Sequence, residues 1–239
     1  MKKEKIIMIL LPIICLCMAI ISYIGVVNIN GDAIKFKKEY ESLNGTKANN
    51  KEYKKVEISK NNPIKYSNYD EIIDVIKNKT GIIYLGFPEC PWCRNAVPVL
   101  LEAARDNNID TIYYLNILNE RDSYIVKDGK VEYAKDQDGN EIKGTPGYLK
   151  LLKVLDNELE DYIIEFEGKE YNTNVKRIYA PTVIFVRDGK VIGLHVSTVS
   201  TQTDPYKDLT DKQYKELYDE YSDYISSMLS SSCPIDSAC

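Results

Sequence analysis

Two rhythms of apolar and polar residues run along this chain, and their changes mark out its elements. Residues 6–27 are twenty-two positions without a charge, preceded by Lys2, Lys3 and Lys5. As a helix such a run spans about 33 Å and would cross a bilayer. The positive flank stays cytoplasmic, which places the remainder outside as a single-pass protein of the cell membrane anchored through segment 1–27. Secretion after signal cleavage is the alternative, although the run exceeds a usual signal core and shows no small-x-small site before Asn28. Residues 28–55 are polar, lysine-rich and without a sustained apolar period, which predicts a juxtamembrane stalk, with or without a frayed helix.

From Val56 to Tyr66 the pattern predicts a weak strand, then a helix through Lys77 capped by Ser67 or Asn68, with Ile72, Ile73 and Ile76 on its apolar face. The continuous apolar run Gly81 to Phe87 predicts a buried strand. From Ala96, Val97, Leu100, Leu101 and Ala104 recur at helical spacing through Pro98, a kink point, and Thr111 to Ile117 predicts another strand. Alternating helices and strands with short connections imply parallel pairing and an α/β sheet.

Residues 118–177 read as an insertion. It carries a hairpin turn at Asp128-Gly129, another turn at Asp138-Gly139, and a helix opened by Thr145-Pro146 with Tyr148, Leu152, Leu155 and Leu159, Leu149 and Ile163 alongside. An insertion this long forms a binding surface or lid, or simply covers one sheet face. Val183 to Val186, Asp188-Gly189 and Val191 to Val196 predict a β-hairpin. Thr210 with Gln213 is a capping box for a terminal helix striped by Tyr214, Leu217, Tyr218, Tyr221, Ile225 and Met228. The predicted domain covers 56–229, followed by a cysteine-containing tail over 230–239.

Length and charge narrow the function. The 239 residues allow one medium domain plus extras, and 31 basic against 36 acidic residues, without a basic cluster, argue against nucleic acid as a partner. Six cysteines are too few for a disulfide scaffold and fall into three close pairs. Cys15 and Cys17 sit in the apolar run as small apolar residues. Either reading of the N-terminus puts the rest in an oxidising compartment.

The chemistry concentrates in Cys90-Pro91-Trp92-Cys93, at the predicted strand-to-helix junction. Cys90 falls at the helix start, where bare backbone N–H groups and the dipole favour a thiolate, and Cys93 falls one turn further in. Pro91 suits the first turn, since its missing N–H has no intrahelical partner there. Glu89 opposes thiolate formation while Arg94 favours it. The rival reading is half of a zinc site, which needs two further ligands. Cys233 and Cys239, separated by five residues, lack the usual metal spacing. They form either a local disulfide that pins the tail or a second redox couple. The lone His195 sits in a predicted strand as a packed or surface residue.

With Cys-Pro-Trp-Cys at a strand-helix junction, Pro98 eight residues past the first cysteine, and Ala180-Pro181 opening a late hairpin before a final helix, the chain resembles the thioredoxin superfamily. Within it, the Gly-Phe-Pro-Glu-Cys-Pro-Trp-Cys run is similar to membrane-anchored thioredoxin-like proteins of Gram-positive bacteria, including bacteriocin transport accessory proteins. The resemblance covers about 56–229. It implies a central mixed sheet flanked by helices, and a cis Pro181 facing the cysteine pair, with the Ala180 backbone pairing with an extended substrate. Tyr84 stands where thioredoxin carries a buried carboxylate, and Glu89 where it carries Trp.

The expected function is thus an extracytoplasmic thiol–disulfide oxidoreductase, with Cys90 exchanging and Cys93 resolving, Pro91 and Trp92 tuning the poise, and no cofactor or metal. Its partners are the thiols and disulfides of exported proteins or peptides, together with a membrane redox partner. The alternative is a thioredoxin-like binding module for peptide export whose cysteine pair is structural.

Overall fold

The computed structural model describes residues 31–48 and 50–230. Its first element is one the polar composition concealed. Residues 31–41 are helical (α1), and Ala33, Phe36 and Tyr40, three and four positions apart, are buried. The expected stalk is therefore corrected over these residues. Lysines cover the outer side of the helix, while Phe36 meets Tyr40 at 4.5 Å and the edge of Tyr114 at 4.9 Å. The packed body begins before the expected boundary at 56.

A short hairpin, β1 (Lys47–Ala48) and β2 (Lys51–Glu52), leads to β3 (Ile64–Tyr66). Helix α2 (Tyr69–Asn78) starts where the Asn68 side chain accepts the Glu71 N–H, and it buries Ile72, Ile73, Val75 and Ile76. Strand β4 (Gly81–Gly86) follows, then α3 (Pro91–Asp106), which continues through Pro98, and β5 (Ile112–Asn116). The insertion holds the hairpin β6 (Tyr124–Lys127) and β7 (Lys130–Tyr133), helix α4 (Pro146–Val154), and a second hairpin, β8 (Asp161–Phe166) and β9 (Lys169–Lys176). Strands β10 (Thr182–Arg187) and β11 (Lys190–Val196) and helix α5 (Asp211–Leu229) close the fold.

Five strands form one mixed sheet in the order β11-β10-β4-β5-β3. Strands β3 and β4 run parallel to β5, and β10 runs antiparallel to β4 and β11. Ile82 and Tyr84 on β4 lie opposite Phe185 and Val183 on β10, and this face carries three helices. Tyr84 meets Phe36 of α1, Phe185 stacks on Tyr224 of α5, and α3 packs against α5. A Cβ at Gly81, on the other face, would touch Val75 of α2, which packs in turn on α4. With cover on both sides, β4 is apolar at every position. Full burial of Ile82, Ile83 and Leu85 contributes about 1.5–3 kcal/mol each.

The expectation of a transmembrane helix, and with it the single-pass membrane placement, is corrected: among the described residues no helix is long and apolar enough to cross a membrane. The reason is visible in the longest of them. Helix α5 interleaves its buried Leu217, Tyr221, Ile225 and Met228 with Lys212, Lys215, Glu216, Asp219, Glu220 and Asp223. Segment 6–27, which prompted the expectation, lies outside the described residues, as do Cys15, Cys17, Cys233 and Cys239.

Candidate active site

Strand β4 ends at Gly86 and helix α3 begins at Pro91, so the chain between them delivers a sulfur to a helix N-terminus. Cys90 is the N-cap residue, and its sulfur accepts the Cys93 N–H at 3.4 Å. Pro91 occupies the first helical position. Cys90 is 7% exposed and Cys93 0%, and both are free cysteines. Both are buried, and only Cys90 keeps any accessible surface. Trp92, half-buried, packs on the core beside them.

The start of β10 faces the pair. The Ala180–Pro181 peptide bond is cis, and the Ala180 carbonyl oxygen accepts a hydrogen bond from the Cys90 thiol at 3.1 Å. Pro181 itself has no N–H, so the adjacent polar backbone atom is the one turned to the sulfur.

The two thiols are driven apart electrostatically. The hydrogen bond that the Cys93 side chain donates holds the Cys90 thiol below the ordinary thiol range, against the opposing effect of burial. The N–H groups of Cys93 and Trp92 and the Arg121 guanidinium add to the lowering. Burial pushes the Cys93 thiol well up, and its hydrogen bond and charge repulsion with Cys90 push it further. A hydrogen bond from Tyr84 and the Phe87 N–H act the other way. The two thiols thus differ in acidity, with Cys90 lowered and Cys93 raised.

Arg94 does not take the role expected of it. One residue beyond Cys93, it is turned about 100° around the helix from it, toward the core. Its buried guanidinium donates to Lys54 O at 2.7 Å, Tyr40 O at 2.8 Å, Asn44 Oδ1 at 2.6 Å and Pro88 O at 3.4 Å. It ties α1 and the following loop to the active-site helix. The cation that acts on Cys90 is instead Arg121, which stands 4.9 Å over the Phe87 ring. Glu89 is exposed, and its charge is felt at Tyr53. The structure thus brings Cys90, Cys93, Pro91, Trp92, Ala180, Pro181 and Tyr84 together, and turns Glu89 and Arg94 elsewhere.

Two contributors escaped the sequence reading. Arg121 lies in the insertion, and only tertiary folding brings it to the cysteines, with no local pattern to announce it. Tyr40 was detectable through the Ala33, Phe36, Tyr40 spacing. His195 is packed, with Nδ1 2.7 Å from Glu220 Oε1 and Nε2 3.1 Å from Thr198 O. Among the described residues no group of three or more His, Cys, Asp or Glu side chains could hold a metal ion. No family model, no curated protein and no solved structure matches the chain.

Proposed function

We propose that the chain is a thiol–disulfide oxidoreductase with a thioredoxin-like fold, acting on the thiols and disulfides of proteins or peptides. The observation that carries this reading is the asymmetry of the pair: Cys90 at a helix N-cap with its thiol pKa lowered, Cys93 sealed one turn behind with its thiol pKa raised. In the reducing direction, the Cys90 thiolate attacks a substrate disulfide, forming a mixed disulfide and releasing one substrate thiolate, which takes up a proton. The Cys93 sulfur then attacks Cys90, closing the Cys90–Cys93 disulfide and releasing the second substrate thiol. Two electrons and two protons pass to the substrate, and the reverse sequence oxidises a dithiol.

The backbone at Ala180 gives an extended peptide a partner beside the reacting sulfur. Tyr179 next to it lines a cavity of about 340 Å³ with Leu159, Arg177, Leu194 and Val196, which suits a neighbouring substrate side chain. A second reading, a module that holds a partner without exchange, is favoured by one observation. Tyr133, Tyr124, Tyr162 and Tyr179 form a row of half-buried rings, with centroids 4.5, 5.8 and 6.3 Å apart, leading from the insertion to Ala180. Insulin-disulfide reduction and dithiol oxidation by the full-length protein separate the two. Turnover that disappears in Cys90→Ser supports exchange, and no turnover in either direction supports holding alone.

A further inference from the structure

One charge near the active site is left unmatched by the fold. The start of the insertion borders a cavity of about 570 Å³ with Arg121, Asp122, Asp136, Glu141, Lys143 and Arg177 on its wall. The acids of that wall already have partners. Asp122 Oδ1 is 3.5 Å from the Arg177 guanidinium, which also donates to the Asp122 carbonyl at 2.8 Å. Glu141 is 2.7 Å from Lys143, and one Asp136 oxygen accepts the N–H groups of Asp138 and Asn140, each at 2.9 Å. Arg177 and Lys143 are thereby matched, and Arg121 is the cation left over. Among the described residues it has neither an ion pair nor a hydrogen bond, and its buried Nε meets no acceptor. Withdrawing a guanidinium from water without an acceptor costs free energy that a bound anion returns. Arg121 is held in place by the Phe87 ring, 4.9 Å away, and the Phe87 carbonyl accepts the Cys90 N–H at 3.3 Å. The unmatched cation and the reacting cysteine are thus held by the same residue.

We propose that Arg121 is the cation of an anion-binding subsite beside Cys90, and that the disulfides it selects carry a carboxylate near the reacting sulfur. The inference rests on the thiol–disulfide reading and names its substrate class. A guanidinium takes a carboxylate through two parallel N–H donors, which fixes orientation as well as adding attraction. An acidic side chain and a free chain end present the same group. Arg177 lines the same cavity but is not the anchor, because Asp122 answers its charge and the Tyr162 ring lies 4.1 Å from it. The whole chain carries a net charge of −5, which repels acidic substrates, so a local cation is what admits them. With the carboxylate seated, the Cys90 thiolate attacks the nearer substrate sulfur. The Cys90–substrate bond forms as the substrate disulfide breaks, and the departing thiolate takes a proton from solvent. Arg121 and the carboxylate keep their charges throughout.

The test uses the reduced full-length chain with Cys15, Cys17, Cys233 and Cys239 changed to Ser, and short peptides whose single cysteine is blocked as a pyridyl disulfide. One peptide has Glu on both sides of the cysteine and an amidated end. Another has Gln there and an amidated end, and a last one has Gln and a free carboxylate end. Release of the chromophoric thiopyridone reports attack by Cys90, and dividing by the rate for the amidated Gln peptide removes any effect of a variant on the thiol itself. At neutral pH and low salt, Arg121→Gln should lower the relative rate of at least one acidic peptide about tenfold, the loss expected for hydrogen bonds to a charged group. A fall confined to one of them names the side chain or the chain end as the group bound. Unchanged relative rates for both overturn the inference. So does an equal fall in Lys130→Gln, which removes an exposed charge of the same insertion and would reduce the effect to net charge. Should Arg121→Gln fail to fold, Arg121→Met, which keeps a chain over the Phe87 ring, decides by the same criterion. A parent chain in which Cys93 never displaces the peptide from Cys90 would instead overturn the exchange reading, while the relative rates still decide on the subsite.

Discussion

The Cys90 sulfur and the Ala180 carbonyl oxygen are 3.1 Å apart across ninety positions of sequence. That contact joins the start of α3 to the start of β10, and it places the Cys90 sulfur against a backbone carbonyl. Cys93, on the far side, meets only protein.

The difference between the two thiols predicts the order of their chemistry. A lowered pKa means that the Cys90 thiolate population rises at lower pH than that of an ordinary cysteine, and a raised one means that Cys93 stays protonated beyond it. Peptide-resolved alkylation by iodoacetamide should modify Cys90 with a pH midpoint below about 8.5 and leave Cys93 unmodified there.

Arg121 favours the charged form of Cys90, so removing its charge should disfavour the thiolate. Arg121→Gln should move the Cys90 alkylation midpoint upward, by less than about one pH unit because this charge is a minor contributor. The measurement is the same pH series on the variant.

Arg94→Met should act on the fold. It strips hydrogen-bond donors from Tyr40 O, Asn44 Oδ1 and Lys54 O at once. A loss of about 3 kcal/mol in urea unfolding is expected. Hydrogen exchange should quicken first over residues 31–55. Arg94→Lys should rescue little, because one ammonium cannot reproduce the fork.

Gly189 closes the β10–β11 hairpin with φ of +72°, and a Cβ there would collide with the Lys77 carbonyl at the end of α2. Gly189→Ala should therefore cost more than about 1 kcal/mol, read from the shift in the thermal midpoint.

Where local chemistry decides structure, the chain was readable. Asp128-Gly129 and Asp188-Gly189 both turn with positive φ at each residue, the form an Asp-Gly hairpin takes. The Thr210–Gln213 capping box opens α5, and the cysteines stand at the head of α3. The β8–β9 hairpin was hidden because Leu155, Leu159 and Ile163 fall at helical spacing. The helix ends at Val154, and Glu167-Gly168, a weaker turn signal, reverses the chain. Helix α1 was hidden by composition, its three buried side chains outnumbered by the six charged residues Asp32, Lys35, Lys37, Lys38, Glu39 and Glu41. The assignment of charges at the site was the least readable part. Arg94 is adjacent in sequence and turned away, while Arg121 arrives from a distant loop, and only the packed fold distinguishes them.

The most direct measurement is mass-spectrometric trapping with Cys93→Ser incubated with oxidised glutathione. The exchange account predicts a single glutathione on Cys90 that persists in the variant, and in the parent chain is replaced by a Cys90–Cys93 disulfide. A Cys90 that takes up no glutathione, or a parent chain whose two cysteines never join, contradicts it.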